Sequence, residues 1–218
     1  MNKFSFDTIK DFDTHIGLSI PNYSHIIELV EKMSTYFIKD NTHVYDLGCS
    51  TGLLLSKLVN NEAYKKTLFV GYETSENLKP SSPMTFEWRN KDITHPDVCF
   101  VNACLITSIF TLQFIDVNKR QEIINKIYKG LGMKSAFIFC EKIYLSDAYI
   151  QDIFTFSYYD YKKKSFTEEE ILLKQKDLRK IMQPLTEREN IAMLQNAGFK
   201  IIEPFFNSLM FKGWLCVK

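Results

Sequence analysis

The chain has 218 residues, 45% hydrophobic and 24% charged, with a formal net charge of +1. That size suits one domain with an appended or inserted piece and a full core, and the even charge balance excludes a global basic field for nucleic acid. No apolar run approaches the ~20 residues that cross a bilayer, residues 1–13 lack the apolar stretch of a secretory signal, and five scattered cysteines without a CxxC pair fit buried thiols in a reducing cytoplasm.

Residues 1–20 read as irregular or lightly helical. Apolar positions Ile26, Ile27, Val30, Met33 and Phe37 recur at spacings of three and four, which predicts a helix over 21–38 with Pro21 in its first turn. A short strand over 43–47 runs into the turn Asp46-Leu47-Gly48-Cys49-Ser50-Thr51-Gly52, and a helix opens at Leu53. Strands are expected at 67–72, weakly around Phe86 and Trp88, and over 100–109, where the chain is apolar enough to be covered on both faces. The segment 75–84, with Pro80 and Pro83, reads as a loop, too short for a helix between two strands. An amphipathic helix follows at 117–131 and a strand at 136–140. The rhythm then changes: 146–164 is aromatic-rich, and 167–180 is a charged helix with an acidic first turn, Glu168-Glu169-Glu170. Thr186 and Glu189 form a capping box for a helix ending at Gly198, and strands at 201–202 and 209–217 close as a hairpin.

Alternating strands and helices predict an α/β fold: a mostly parallel seven-stranded sheet, helices on both faces and a C-terminal antiparallel hairpin. Residues 1–218 read as a single domain with a helical, aromatic-rich insertion at about 145–196. In such sheets ligands bind where the strand order reverses, beyond the strands' C-terminal ends. The turn from Asp46 to Gly52 lies at that edge; Gly48 and Gly52 let the backbone bend tightly and approach a ligand, and the next helix points its N-terminus there. Glu73, ending the second strand, can accept both hydroxyls of a ribose, and Asp92, after the third, can meet an adenine amino group. A dinucleotide fold fits less well, because its G-x-G-x-x-G is replaced by G-x-x-x-G.

Other groups are read more plainly. Phe154, Phe156, Tyr158, Tyr159, Tyr161 and Phe166 at near-helical spacing read first as packing, with Lys162-Lys163-Lys164 as a solvated basic end; stacking on RNA or a lid over a ligand are alternatives. Arg120, Arg179 and Arg188 read as surface ion pairs before anion contacts. Glu141-Lys142, at a strand end on the ligand edge, face the cavity or the core with even odds. The four histidines lack metal-ligand spacing, so no metal is expected.

The chain resembles the class I S-adenosylmethionine-dependent methyltransferases, and within them the bacterial carboxy-S-adenosylmethionine synthases, which serve wobble-uridine modification of tRNA. The resemblance runs along most of the chain, through Ser19-Ile20-Pro21-Asn22-Tyr23, Val44-Tyr45-Asp46-Leu47-Gly48-Cys49-Ser50, Phe110-Thr111-Leu112-Gln113-Phe114, Lys126-Ile127-Tyr128-Lys129-Gly130-Leu131, Glu141-Lys142, Ala197-Gly198-Phe199 and the aromatic tail. It implies a Rossmann-like class I fold and a cytoplasmic, homodimeric transferase whose cofactor is S-adenosyl-L-methionine or its carboxylated form. It also implies a small-molecule substrate such as prephenate, or a partner in the tRNA pathway. The implied cofactor contacts are Tyr23 at the methionine end, Asp46, Gly48 and Ser50 in the turn, Glu73 and Thr74 on the ribose, and Asp92 and Ile93 on the adenine. The family usually carries Asp-Asn where this chain has Glu73-Thr74. No side chain is singled out as catalytic: in the family the deprotonated sulfonium methyl captures the carboxyl carbon of prephenate, which needs no protein base.

Two further departures bear on what is made. Ile109 stands where the family has Asn, and Gln175 where it has the Arg that pairs with the added carboxylate. A neutral amide cannot reproduce a bidentate charged pair, and Lys174 and Lys176 are expected to point about 100° away. A non-catalytic nucleoside-binding sensor or partner subunit that keeps the fold is therefore the alternative.

Overall fold

The structure, a computed structural model, describes residues 11–79 and 85–218. The expectations for residues 1–10 and for the loop around Pro80 and Pro83 lie outside these. Strands β1 (His43–Leu47), β2 (Leu68–Glu73), β3 (Glu87–Asn90), β4 (Ala103–Ile109) and β5 (Leu131–Lys142) pair in parallel, and β6 (Ile201–Ser208) and β7 (Phe211–Val217) form an antiparallel hairpin that joins through β7. The order is β3-β2-β1-β4-β5-β7-β6, the expected seven-stranded sheet. It reverses between β1 and β4.

Strand alternation divides the core into two layers. Val44, Phe69, Leu105 and Ile138 face helices α2 (Tyr23–Ser34), α3 (Leu53–Val59) and α5 (Ala148–Lys162). Tyr45, Val70, Ile106, Phe137 and Phe139 face the other way, against Ile123, Ile124 and Ile127 of α4 (Val117–Gly130) and Leu194 of α7 (Glu187–Ala197). The remaining helices are α1 (Phe12–Ser19) and α6 (Glu168–Ile181). A capping box starts α7 at Thr186–Glu189, as expected from its spacing, and a second starts α6 at Thr167–Glu170. Among the described residues no helix is long and apolar enough to cross a membrane.

Several boundaries move for local reasons. Helix α2 begins at Tyr23 rather than Pro21 because Asn22 adopts a left-handed conformation, φ 59°, which turns the chain into the helix. Strand β5 begins at Leu131, five residues early, because a register shift between Ala103 and Leu105 lets Leu131 pair with Ala103. Among the described residues between β2 and β3 the helical structure is a single 3-10 turn, Glu76–Leu78. Helix α4 stops at Gly130 under residue 100: a Cβ there would lie 2.7 Å from Phe100 Cβ and overlap its carbonyl oxygen. Gly130→Ala is therefore expected to cost about 1–3 kcal/mol of stability, measured by urea unfolding, with the fold retained.

Two basic residues depart from expectation. Arg120 is buried, not a surface ion pair; its guanidinium donates to the carbonyls of Ile115 (2.9 Å) and Gln113 (3.2 Å) and so braces the Phe110–Phe114 block. Lys162 is also buried, 4% exposed, whereas Lys163 and Lys164 are the solvated part of that run. The aromatic segment is mainly packing: Tyr158 is buried and donates its hydroxyl to the Ser19 carbonyl at 2.7 Å, while Phe156 faces solvent.

Candidate functional site

A cavity of about 560 Å³ opens at the C-terminal ends of β1, β2 and β4, where the strand order reverses. Tyr23, Asp46, Gly48, Ser50, Glu73, Thr74, Asp92 and Ile93 all line it. All eight candidate residues thus meet in one space, though they come from four separate segments.

The turn after β1 is held from several sides. The N–H groups of Gly48 and Cys49 both donate to the Tyr72 carbonyl, at 2.8 and 3.0 Å. Gly48, Ser50 and Gly52 have φ of 72°, 52° and 77°. The two glycines carry this conformation without strain, but Ser50 does not. The Ser50 N–H donates to Glu73 Oε2 at 3.0 Å, tying the turn to the end of β2. Its buried hydroxyl has no hydrogen-bond partner among the described residues. A buried donor without a partner on a cavity wall is a place for a ligand.

The acids are positioned differently. Glu73 Oε1 accepts the N–H groups of Thr74 and Ser75, at 2.8 and 3.0 Å, so its carboxylate is fixed by backbone on both oxygens. Asp46 is buried and accepts the Thr107 hydroxyl at 2.6 Å across the β1–β4 switch. Burial raises its carboxyl to about 6 despite that bond, with Glu73 adding to the rise. Burial likewise pushes the Tyr23 hydroxyl up, with Asp46 and Asp13 adding to it. Asp92 is exposed at the cavity edge and accepts the Thr94 N–H at 2.8 Å, while Ile93 is buried. Asp13 of α1, which the sequence reading passed over, also lines the cavity and accepts the Thr51 hydroxyl at 2.8 Å.

The far half of the cavity is basic. Lys142, Lys162, Lys174 and Gln175 line it, with Ile109 and Tyr158. The expectation that Lys174 points away is corrected: it reaches the cavity together with Gln175 and bonds His15 and Ser19, because α6 packs with that edge turned inward. The Glu141-Lys142 pair divides. Lys142 faces the cavity, and Glu141 turns into the core, where it accepts the Leu112 N–H at 3.0 Å. Lys142 and Lys174 are lowered to about 8, mainly by burial, with Arg179 and Lys162 contributing at Lys142 and Lys162 at Lys174. Burial brings His15 to about 4, with Lys174 and Lys162 adding to it. Among the described residues no group of three His, Cys, Asp or Glu is arranged to hold a metal ion.

No protein-family model matches the chain. Individual proteins do. A carboxy-S-adenosyl-L-methionine synthase of Staphylococcus epidermidis is 35% identical over 98% of this chain and 95% of its own length. Those of Campylobacter lari and Klebsiella pneumoniae are 33% and 30% identical over 99% and 95% of the chain, and 95% and 87% of their own lengths. The chain belongs to the carboxy-S-adenosyl-L-methionine synthase family. As a member it is an S-adenosylmethionine-binding transferase of the class I methyltransferase superfamily. Solved structures carry the same fold at low identity. A putative methyltransferase of Haloferax volcanii, in complex with the Trm112 activator, covers 100% of this chain and 98% of its own, with a TM-score of 0.66 and 12% identity. Human N-acetylserotonin methyltransferase covers 89% and 54%, with a TM-score of 0.54 and 15% identity. Ile109, Glu73, Thr74 and Gln175, at which the sequence departs from the pattern that the resemblance implies, all line the cavity wall.

Proposed function

We propose that the protein makes carboxy-S-adenosyl-L-methionine from S-adenosyl-L-methionine and prephenate, in the cavity at the β1–β4 switch. The observation that carries this is the convergence of the eight cofactor candidates on one cavity whose opposite wall is basic. In this reading the Gly48 turn admits the cofactor, Ser50 offers its unpartnered hydroxyl, Glu73 takes the ribose hydroxyls, Asp92 and Ile93 flank the adenine, and Tyr23 and Asp46 lie toward the methionine end. When bound, S-adenosylmethionine would supply a sulfonium methyl that gives up a proton and gains the CO2 that prephenate releases; the ring hydroxyl of prephenate would leave with that proton as water, and phenylpyruvate would remain. The protein's part is to align the two and exclude water. The reading extends to a cytoplasmic role in tRNA wobble-uridine modification, with residues 1–218 acting as one cofactor-binding unit.

Mass spectrometry of the nucleoside retained through purification tests it. Carboxylated cofactor supports synthesis; no bound nucleoside, with no thermal shift on adding one, overturns it. The sensor alternative rests on Ile109 and Gln175, and predicts a retained nucleoside that is never turned over. Homodimerisation belongs to the same proposal. It is supported by exposed Tyr149, Ile153 and Phe156 on α5 beside exposed Leu172 and Leu173 on α6, and a dimer mass by light scattering checks it.

Asp46 makes binding pH-dependent. Its folded carboxyl keeps a proton up to about 6, against an ordinary value of 3.8. Between these values the native state binds more protons than the unfolded chain, so the ligand-free fold loses stability as pH rises through the window. A cationic cofactor favours the ionised carboxylate. Its affinity should therefore rise by up to about tenfold per pH unit as pH climbs toward 6, then level off. Isothermal titration between about pH 5 and 8 checks this, and Asp46→Asn should flatten the profile.

A further inference from the structure

The Phe110–Phe114 block lines the cavity, yet the reading above gives it no task. Phe110 has φ 59°, a left-handed conformation that is costly for a bulky side chain. Such a residue persists only where its surroundings over-determine it. Here the Phe110 N–H donates to the Cys140 carbonyl at 2.7 Å, and its ring meets Phe211 edge-on with centres 5.7 Å apart. Its carbonyl accepts the side-chain amide of Gln113 at 3.2 Å.

Gln113 does more than hold this turn. It is only 4% exposed, and its Oε1 accepts the N–H of Lys142, the last residue of β5, at 3.0 Å. These two partners fix the amide's orientation, because one can only donate and the other can only accept. The Gln113 carbonyl accepts the Gln183 N–H, just past α6, at 2.7 Å and the Arg120 guanidinium at 3.2 Å. One residue therefore ties together the turn at Phe110, the end of β5 and the segment after α6. Each of these carries a residue of the cavity wall: Phe110, Lys142 and Met182. None of them belongs to the four segments that bring in the cofactor candidates. Those are held separately: the Gly48 turn rests on the Tyr72 carbonyl and Glu73, and Leu112, next to the Thr111 that lies against Gly48, is held through its N–H by Glu141.

We propose that Gln113 is a positioning residue for the far half of the cavity, holding Phe110, Lys142 and the segment after α6 as one wall against which the acid co-substrate is aligned with the cofactor. The inference rests on the proposed function. Gln113 acts through the groups it holds and not by touching the reacting atoms. An apolar side chain in its place would leave a buried N–H and a buried carbonyl without partners, and the wall would shift to satisfy them. A misplacement of about 1 Å can cost about 100-fold in rate.

Three variants of the full chain test this. Gln113→Met keeps the length and removes both side-chain bonds. Gln113→Asn keeps an amide, but one carbon too short to span both partners. Gln113→Glu restores the pair in its acid form, the O–H donating to Phe110 and the other oxygen accepting from Lys142; burial favours that neutral form, as it does at Glu141. Isothermal titration measures S-adenosylmethionine affinity, and formation of carboxy-S-adenosylmethionine at varied prephenate gives kcat and KM. Gln113→Met and Gln113→Asn are expected to lose about 10- to 100-fold in kcat/KM, most of it in kcat, while S-adenosylmethionine affinity stays within about threefold. Gln113→Glu should return to within about fivefold of wild type. If Gln113→Met does not fold, Gln113→Asn decides by the same split. A normal kcat despite a lowered melting temperature, an equal loss of S-adenosylmethionine affinity, or a Gln113→Glu variant no better than Gln113→Met overturns the inference while the proposed function stands. Wild-type protein that makes no carboxy-S-adenosylmethionine overturns both.

Discussion

Glu73→Ala is expected to weaken S-adenosylmethionine binding by about 100-fold or more in isothermal titration, with the circular dichroism of the native protein retained. The magnitude follows from what the carboxylate does on each side. On the ligand side it would accept two ribose hydroxyls, and hydrogen bonds to a charged group contribute about 1.5–3 kcal/mol each. On the protein side it accepts the N–H groups of Ser50, Thr74 and Ser75, which set the turn and the end of β2 in place before a ligand arrives. Removing it takes away the acceptor and loosens the cradle together. Glu73→Asp, which restores the acid usual in the family but with a shorter reach, should keep affinity within about tenfold because the charge remains. If Glu73→Ala binds as tightly as wild type, the nucleoside lies elsewhere.

Gly48→Val should abolish binding to a similar or greater extent. With φ at 72°, residue 48 lies in the left-handed region, where a side chain costs about 1–2 kcal/mol before any contact is counted. A Cβ there would also lie 2.9 Å from Thr111 Cβ and overlap that residue's hydroxyl. Relief requires moving either the turn or the Phe110–Phe114 block, and both line the cavity. Gly48→Ala should show the same effect more weakly. Titration of each variant, with thermal unfolding to confirm a folded state, checks the series. Tight binding by folded Gly48→Val would contradict close approach of the cofactor to this turn.

What could be read before the structure was whatever local pattern controls. Strand ends are local, so Asp46 and Glu73 were found from the apolar run before each and Asp92 from the weak alternation of Phe86 and Trp88, and the topology then brought them together. The capping box at Thr186 is local for the same reason. The basic half of the cavity was not legible. Lys142, Lys162 and Lys174 come from β5, α5 and α6, and only the packing of two helices against the sheet edge brings them to one cavity, with Lys142 and Lys162 over the ring of Tyr158. In sequence Lys162 is indistinguishable from Lys163 and Lys164, although only Lys162 is buried. Lys174 was discounted because a neighbour on a helix is rotated by about 100°, yet a helix edge facing a cavity can present two adjacent residues to it. Arg120 was misread for a similar reason: its partners are backbone carbonyls five and seven residues back, which carry no sequence signature.

The central claim is that this cavity turns S-adenosylmethionine into its carboxylated form. Mass spectrometry of the cofactor after incubating purified protein with S-adenosylmethionine and prephenate tests it most directly. The account predicts carboxy-S-adenosylmethionine from the wild-type protein and none from Gly48→Val. Recovery of unchanged S-adenosylmethionine, or of its demethylated product alone, would contradict it.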